Sequence, residues 1–268
     1  MNKNFLLFWV SLIVLLLLVN SIVFLFHSQD YFANKDTEII MPDSLNFTHE
    51  GSLEISPDRL QQQNDSISAY LLRIYADAEL VDIQTLDSNF VVQMAYASDK
   101  NFTHKNLYGN LNKAFLRKEI AIKLARAQQF LHERNPAYRL LVLDAARPLS
   151  VQQQLWNAVK GKPEQDYVED PLNGSAHNFG AAVDVSIVDE NGNNLDMGTP
   201  YNYFGDKAQP KMEGYFVQKG NLNKYQLQNR SLLRDIMRQA GFTPVDITWW
   251  HFDGISLRQA VKKYKRLE

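Results

Sequence analysis

Residues 174–184, Gly-Ser-Ala-His-Asn-Phe-Gly-Ala-Ala-Val-Asp, constrain the fold of this chain more than any other stretch. They lead into an alternation in which Val183, Val185 and Ile187 are apolar, while Ala182, Asp184 and Ser186 hold the other parity. Alternation of this kind marks a half-buried strand, so Asp184 is expected to point away from the face carrying the valines. His177 falls in the turn entering that strand. Gly180 permits a sharp backbone path that returns the imidazole toward the carboxylate. A third candidate ligand, His251, lies far downstream in Trp249-Trp250-His251-Phe252. Two histidines and one carboxylate, with a fourth position open, form the donor set of a catalytic rather than a structural zinc site.

The rest of the chain sets the frame for that site. Its 268 residues, 45% of them apolar, allow one sizeable core with appendages. A net charge of −2 gives no electrostatic reason to expect nucleic acid as a partner. No cysteine is present, which excludes disulfides, thiolate metal sites, a cysteine nucleophile and a lipidated cysteine.

Residues 5–26 are uncharged and mostly Leu, Val, Ile and Phe. As a helix they would run about 33 Å, enough to cross a bilayer. Lys3 precedes them and no Lys or Arg follows until Lys35, so the positive-inside rule leaves the N-terminus in the cytoplasm and the rest outside, in bacterial terms the periplasm or cell surface. A cleaved signal peptide is the rival reading. The apolar run exceeds a usual signal core, and no Ala-x-Ala site follows it. The expected organisation is a cytoplasmic tip and single-pass anchor over 1–27, a polar spacer over 28–79 with a short helix over 67–78, and a folded domain over 80–268.

Within that domain the pattern predicts a strand over 89–96, a long helix over 114–134 and a short strand over 140–143. A helix follows Pro148, with Ser150 and Gln153 as a capping box. Beyond the strand at 181–188 comes an Asn-Gly turn, then an irregular section over 196–228 of the sort that builds binding walls. Asn229 is expected to cap a helix closed by Gly241, followed by a strand over 242–252 and a basic terminal helix. This order reads as an α+β domain with a mainly antiparallel sheet and flanking helices.

These residues also carry a family resemblance. Ser175-x-His177-x-x-Gly180-x-Ala182-x-Asp184 followed by Trp250-His251 resembles the zinc D-alanyl-D-alanine dipeptidases of the vancomycin-resistance type, within the wider D,D- and L,D-peptidase group. Four further segments match in order: Met94-Ala95-Tyr96-Ala97 with Asn101-Phe102, Asp144-Ala145-Ala146-Arg147-Pro148, Met197-Gly198-Thr199-Pro200-Tyr201, and Asn229-Arg230-Ser231-Leu232-Leu233-Arg234 leading to Gly241-Phe242. The resemblance implies a D,D-peptidase-like zinc fold with one Zn²⁺ held by His177, Asp184 and His251. It also implies Arg147 as stabiliser of the developing oxyanion, Ser175 as a holder of the substrate's carboxylate, and a short D-amino-acid peptide as substrate.

Two departures fall on groups that define the reaction. The family's general acid–base Glu, three residues before the last ligand, is Thr248 here, and a threonine hydroxyl is no proton acceptor at neutral pH. Asp246 and Asp253 are near in sequence; on a strand Asp246 would share the face of Thr248 about 6–7 Å further back. The family's acidic contact to the substrate ammonium is Asn202, an acceptor without countercharge, with Asp206 close by. Three readings follow: a dipeptidase-like hydrolase of weakened activity, a zinc-retaining non-catalytic relative that binds peptidoglycan peptides or a cell-wall partner, and a metal-free interaction module. The intact ligand triad argues against the third.

Overall fold

The computed structural model of the protein describes residues 56–268. The expected cytoplasmic tip and anchor, and most of the expected spacer, lie outside the described residues. Among the described residues no helix is long and apolar enough to cross a membrane.

Helix α1, Pro57–Asp77, opens the described chain. Ser56 accepts a hydrogen bond from the Arg59 N–H, and Pro57 takes the first helical position, where its missing N–H costs nothing. Ile67, Leu71 and Tyr75, spaced by four, form its buried face, and the Tyr75 hydroxyl donates to the Ala146 carbonyl at 2.8 Å. The folded unit therefore takes in residues that the composition assigns to a spacer.

A five-stranded sheet follows, in the order β2 (Val91–Val92), β4 (Arg139–Asp144), β5 (Ala182–Val188), β7 (His251–Asp253) and β6 (Thr243–Pro244). Only β2 pairs in parallel; the other three pairings are antiparallel. Two-residue strands β1 (Val81–Asp82) and β3 (Phe115–Leu116) form a separate ladder. Helix α2, Lys118–Arg134, packs against β4 and against the later helix α5, Lys224–Gln239. Gln128 of α2 accepts the Leu140 N–H, tying helix to strand at 2.7 Å. Leu140, Val142, Val183, Val185, Ile187 and Phe252 share one face by register, and all are fully buried. Leu141, Leu143 and Val188 form a second cluster on the other face, with Val91 and Tyr201 against it. The mixed α+β architecture is the one expected.

Several local expectations are corrected. Strand β5 is buried at every position, not half-buried, because its second face is covered too: Asp184 meets two histidines and lines a cavity, and Val188 packs with Leu141 and Leu143. The 114–134 helix begins only at Lys118; Leu116 pairs with Val81, and Arg117 stays extended to bond its N–H to the Gly180 carbonyl. Ser150 does not cap helix α3, Leu149–Val159: Pro148 occupies the cap, and the Ser150 N–H is taken by the Glu268 carboxylate at 3.0 Å. The cap of α5 is Asn223, in a reciprocal box with Gln226, six residues before Asn229. Short helix α4, Glu213–Gln218, occupies part of the supposed irregular section. The strand over 242–252 is two short pieces, and the segment between them, which carries Asp246 and Thr248, is not strand. Helix α6, Leu257–Lys263, ends the regular structure.

Candidate metal centre and cavity

The register of β4, β5 and β7 places Asp144, Asp184 and His251 in one row across the sheet. A bulge makes this possible. Val142 faces Val185, yet Asp144 faces Asp184, so β4 carries one extra residue there. With regular pairing Asp144 would meet Val183 and point to the opposite face.

His177 enters from a 3₁₀ turn, Ala176–Phe179. Ser175 caps the turn: its Oγ accepts the His177 N–H, and its own N–H donates to Asn178 Oδ1. Gly180 closes the turn at φ +66, a left-handed conformation that suits glycine. The turn is fastened on three sides. The Arg147 N–H donates to the His177 carbonyl, Arg117 Nε to Phe179, and the Leu267 N–H to Asn178.

The three ligand candidates converge as expected. His177 Nε2 lies 3.2 Å from Asp184 Oδ1 and 3.0 Å from His251 Nδ1, and His251 Nδ1 lies 3.0 Å from the same carboxylate oxygen. All three residues are buried. Their outward nitrogens decide the tautomers. His177 Nδ1 meets the Ala145 carbonyl at 2.6 Å, which only accepts, so Nδ1 must carry the proton. His251 Nε2 meets Asp253 Oδ1 at 3.2 Å and donates in the same way. Two neutral imidazoles so fixed would point lone pairs at each other and at a carboxylate. Only a cation relieves that arrangement, so the donor set fits a divalent metal.

Without a metal, a proton fills the role. Burial lowers the His251 pKa, but hydrogen bonds and charge from Asp184 and Asp253 outweigh it and carry the pKa to about 10. Burial pulls Asp184 the other way, yet the two histidines hold its carboxyl well below the usual range.

Arg147 stands beside this group. Its Nε and Nη2 both donate to Asp144 Oδ2, at 2.7 and 2.5 Å, and its Nη1 to Gln152 Oε1 at 2.8 Å, with Nη2 also 3.7 Å from Asp184 Oδ2. Burial works against its charge, but Asp144 and the surrounding acidic groups keep the guanidinium protonated. Arg147, His177, Asp184 and His251 line one cavity together with Tyr96, Asn202, Thr248 and Glu169, walled by Phe102, Tyr167, Phe204 and Ile247.

The other candidates separate. Asn202 lines the cavity at φ +58 and accepts from the Tyr96 hydroxyl at 3.3 Å. Thr248 lines it too, nine-tenths buried or more. Ser175 is buried but is not among the cavity's lining residues. Asp246 and Asp206 are exposed and do not line the cavity, and Asp253 is committed to His251. Sequence reasoning passed over Glu169, the one lining carboxylate besides Asp184 among the described residues. It also passed over Tyr201, whose hydroxyl donates to Asp184 Oδ2 at 2.7 Å. Tyr201 stands immediately before Asn202 in a quoted motif, but Glu169 sits in a loop with no periodic signal.

Residues 76–266 match the peptidase M15 family model, described as D-ala-D-ala dipeptidase. The chain belongs to the D-Ala-D-Ala dipeptidase family. It is 31% identical over 175 residues to the D-alanyl-D-alanine dipeptidase of Escherichia coli (strain K12), covering 65% of this chain and 84% of that protein. The proteins of the same name from Synechocystis sp. and Enterococcus faecalis (strain ATCC 700802 / V583) are 29% and 28% identical, over 51% and 59% of this chain and 68% and 82% of their own. Dipeptidase-family membership and the His-Asp-His group thus agree on a hydrolase fold whose centre can hold a metal.

Proposed function

We propose that this chain is a zinc-dependent D-alanyl-D-alanine dipeptidase-type hydrolase of slowed turnover, acting on short D,D-peptides of cell-wall metabolism. The observation that carries the reading is the pair of imidazoles whose tautomers are fixed from outside so that both lone pairs meet Asp184. Zinc held there would supply the Lewis acidity for peptide-bond hydrolysis.

The chain's own residues divide the remaining work. Arg147, anchored by Asp144 and Gln152 and itself buried, presents a fixed positive charge for a developing oxyanion. Asn202 offers its amide oxygen to the substrate's ammonium end. Ser175, buried outside the cavity's lining, accepts the His177 N–H and so holds the turn that presents this ligand rather than meeting the substrate. Proton transfer is where rate is lost. Thr248 occupies the acid–base position, Asp246 is turned out to solvent, and Asp253 is occupied by His251, so the cost is about 10²–10⁴-fold.

The same Thr248 favours one second reading, a zinc-retaining relative that binds peptidoglycan peptides without cleaving them. Placement of the domain outside the cytoplasm, on a single-pass anchor, belongs to the proposal and rests on the apolar residues 5–26 and the charges flanking them.

Hydrolysis of D-Ala-D-Ala by the full chain, with zinc content measured, beside a Thr248→Glu variant, tests it. Slow cleavage by the parent and about 10²-fold faster cleavage by the variant are expected. An inert parent with an active variant would favour the binding relative. Inertness of both, with zinc bound, would refute the dipeptidase reading.

A further inference from the structure

The two oxygens of Asp184 have different company. Oδ1 faces His177 Nε2 and His251 Nδ1, at 3.2 and 3.0 Å, and is the oxygen that would meet a metal held by the three residues. Oδ2 accepts the Tyr201 hydroxyl at 2.7 Å, with Arg147 Nη2 a further 3.7 Å away. We propose that Tyr201 is the positioning residue that holds Asp184 to one-oxygen coordination, so that the fourth place on the metal stays open. The proposal rests on the metal-site reading above and deepens it.

A carboxylate beside a divalent ion can bind through one oxygen or both. Both would fill the position that a catalytic site must leave vacant. A hydroxyl that occupies the second oxygen, in a short charge-assisted bond, makes two-oxygen binding cost that bond. The tyrosine is held for the task. Its ring stands edge-on to Trp250, with centroids 5.2 Å apart and planes at 69°, and it packs on the Leu141, Leu143 and Val188 cluster. It therefore braces β5 through a hydroxyl and β7 through the neighbour of His251. The left-handed backbone of Asn202 follows at once, so Tyr201 and the amide that lines the cavity leave the chain together at a fixed turn.

The hydroxyls beyond it extend the arrangement. Tyr201 has one proton, and the carboxylate at 2.7 Å takes it. The Tyr96 hydroxyl, 3.4 Å from Tyr201 and 3.3 Å from Asn202 Oδ1, can then donate to either. The metal ligand is thus joined through two phenols to the cavity wall.

Cobalt(II) loaded into the full chain reads the coordination directly, because four-coordinate cobalt absorbs visible light much more strongly than five-coordinate. Tyr201→Phe keeps the ring and its packing while removing the hydroxyl. The expected result is a weaker visible band and a 10–100-fold loss of cobalt affinity, the usual range for a lost outer partner, with the metal-free melting temperature checked alongside. A folded variant with unchanged band and affinity would overturn the proposal. A wild-type chain that takes up no cobalt would overturn the metal reading with it, a distinct outcome from the first. Should the variant fail to fold, ¹³C-labelled tyrosine NMR of the unmutated chain decides instead. The Tyr201 Cζ resonance must move when zinc is added, and a resonance that stays put would overturn the proposal. Hydrolytic activity enters none of these readings.

Discussion

Removal of the Asp253 carboxylate, Asp253→Ala, probes how the centre is tuned. Asp253 accepts from His251 Nε2 at 3.2 Å, and its side chain is 23% exposed, so solvent screens it in part. Partners of this kind are worth about 10–100-fold in metal affinity, and the screening points to the lower end, about tenfold or ~1.4 kcal/mol. A second effect runs the other way. In the metal-free protein, Asp184 and Asp253 raise the His251 pKa to about 10, so at neutral pH a metal must first displace a proton. Deleting Asp253 lowers that pKa and weakens the competition. The two effects separate with pH. Near pH 7 the easier loss of the proton offsets much of the weaker ligand, whereas near pH 10, where about half of the parent's proton and most of the variant's is gone, roughly fivefold of the tenfold deficit is exposed. Zinc affinity by chelator competition, from pH 7 to 10, should therefore rise about tenfold per unit in the parent, level off earlier in the variant, and leave a gap that widens with pH. The variant should still fold, since β7 is paired through its backbone. Equal affinities at pH 10, or a gap that narrows as pH rises, would refute the reasoning.

Other outcomes follow from the same geometry. Because His251 is raised above its unfolded value of about 6.5, its contribution to the metal-free fold is complete below that pH and lost as pH climbs through 10; chemical denaturation across this window should show the decline without zinc and not with it. A chain begun at residue 80 loses the burial of Ile67, Leu71 and Tyr75, each worth about 1.5–3 kcal/mol, and should melt well below one begun at residue 56 or fail to fold. Gly180→Ala puts a β-carbon 3.1 Å from Leu80 in a left-handed backbone, so denaturant titration should show a loss of about 1–2 kcal/mol, with weaker zinc binding as His177 shifts. Leu267→Ala opens a buried site beside that turn and should cost about 2–5 kcal/mol, read from the same titration.

The site was legible in the sequence to the degree that local pattern determines it. The parity of Val183 and Asp184, the turn at Gly180 and the spacing to Trp250-His251 were sufficient to bring the ligands together, since strand geometry sets where each side chain points. What escaped was decided by partners distant in sequence. Leu116 fits the helical period of the residues after it, but strand pairing with Val81 takes it out of the helix. Ser150 had the chemistry of a cap, and a carboxylate at Glu268 took the position. Half-burial of β5 failed because protein covers its second face, His177 and Tyr201 at Asp184 and the Leu141 and Leu143 cluster at Val188, which no pattern within one strand distinguishes from water. A short helix over 67–78 was legible, but its start at Pro57 lay in a polar stretch that composition assigned to a spacer, and nothing local showed that Ile67, Leu71 and Tyr75 are buried in the domain.

The extra residue in β4 has a consequence for how such a chain can vary. Substitutions along residues 139–143 act one side chain at a time, but a change of length there acts on the whole row. Losing Leu143 would close the bulge into a regular ladder, with Val142 still opposite Val185 and Asp144 still opposite Asp184, so the support of Arg147 would survive. Losing any one of residues 140–142 with the bulge kept would instead carry Arg139 into the place of Leu140, fully buried opposite Ile187. Within residues 140–143 the strand can therefore shorten at the bulge and nowhere else without putting a charge into the core.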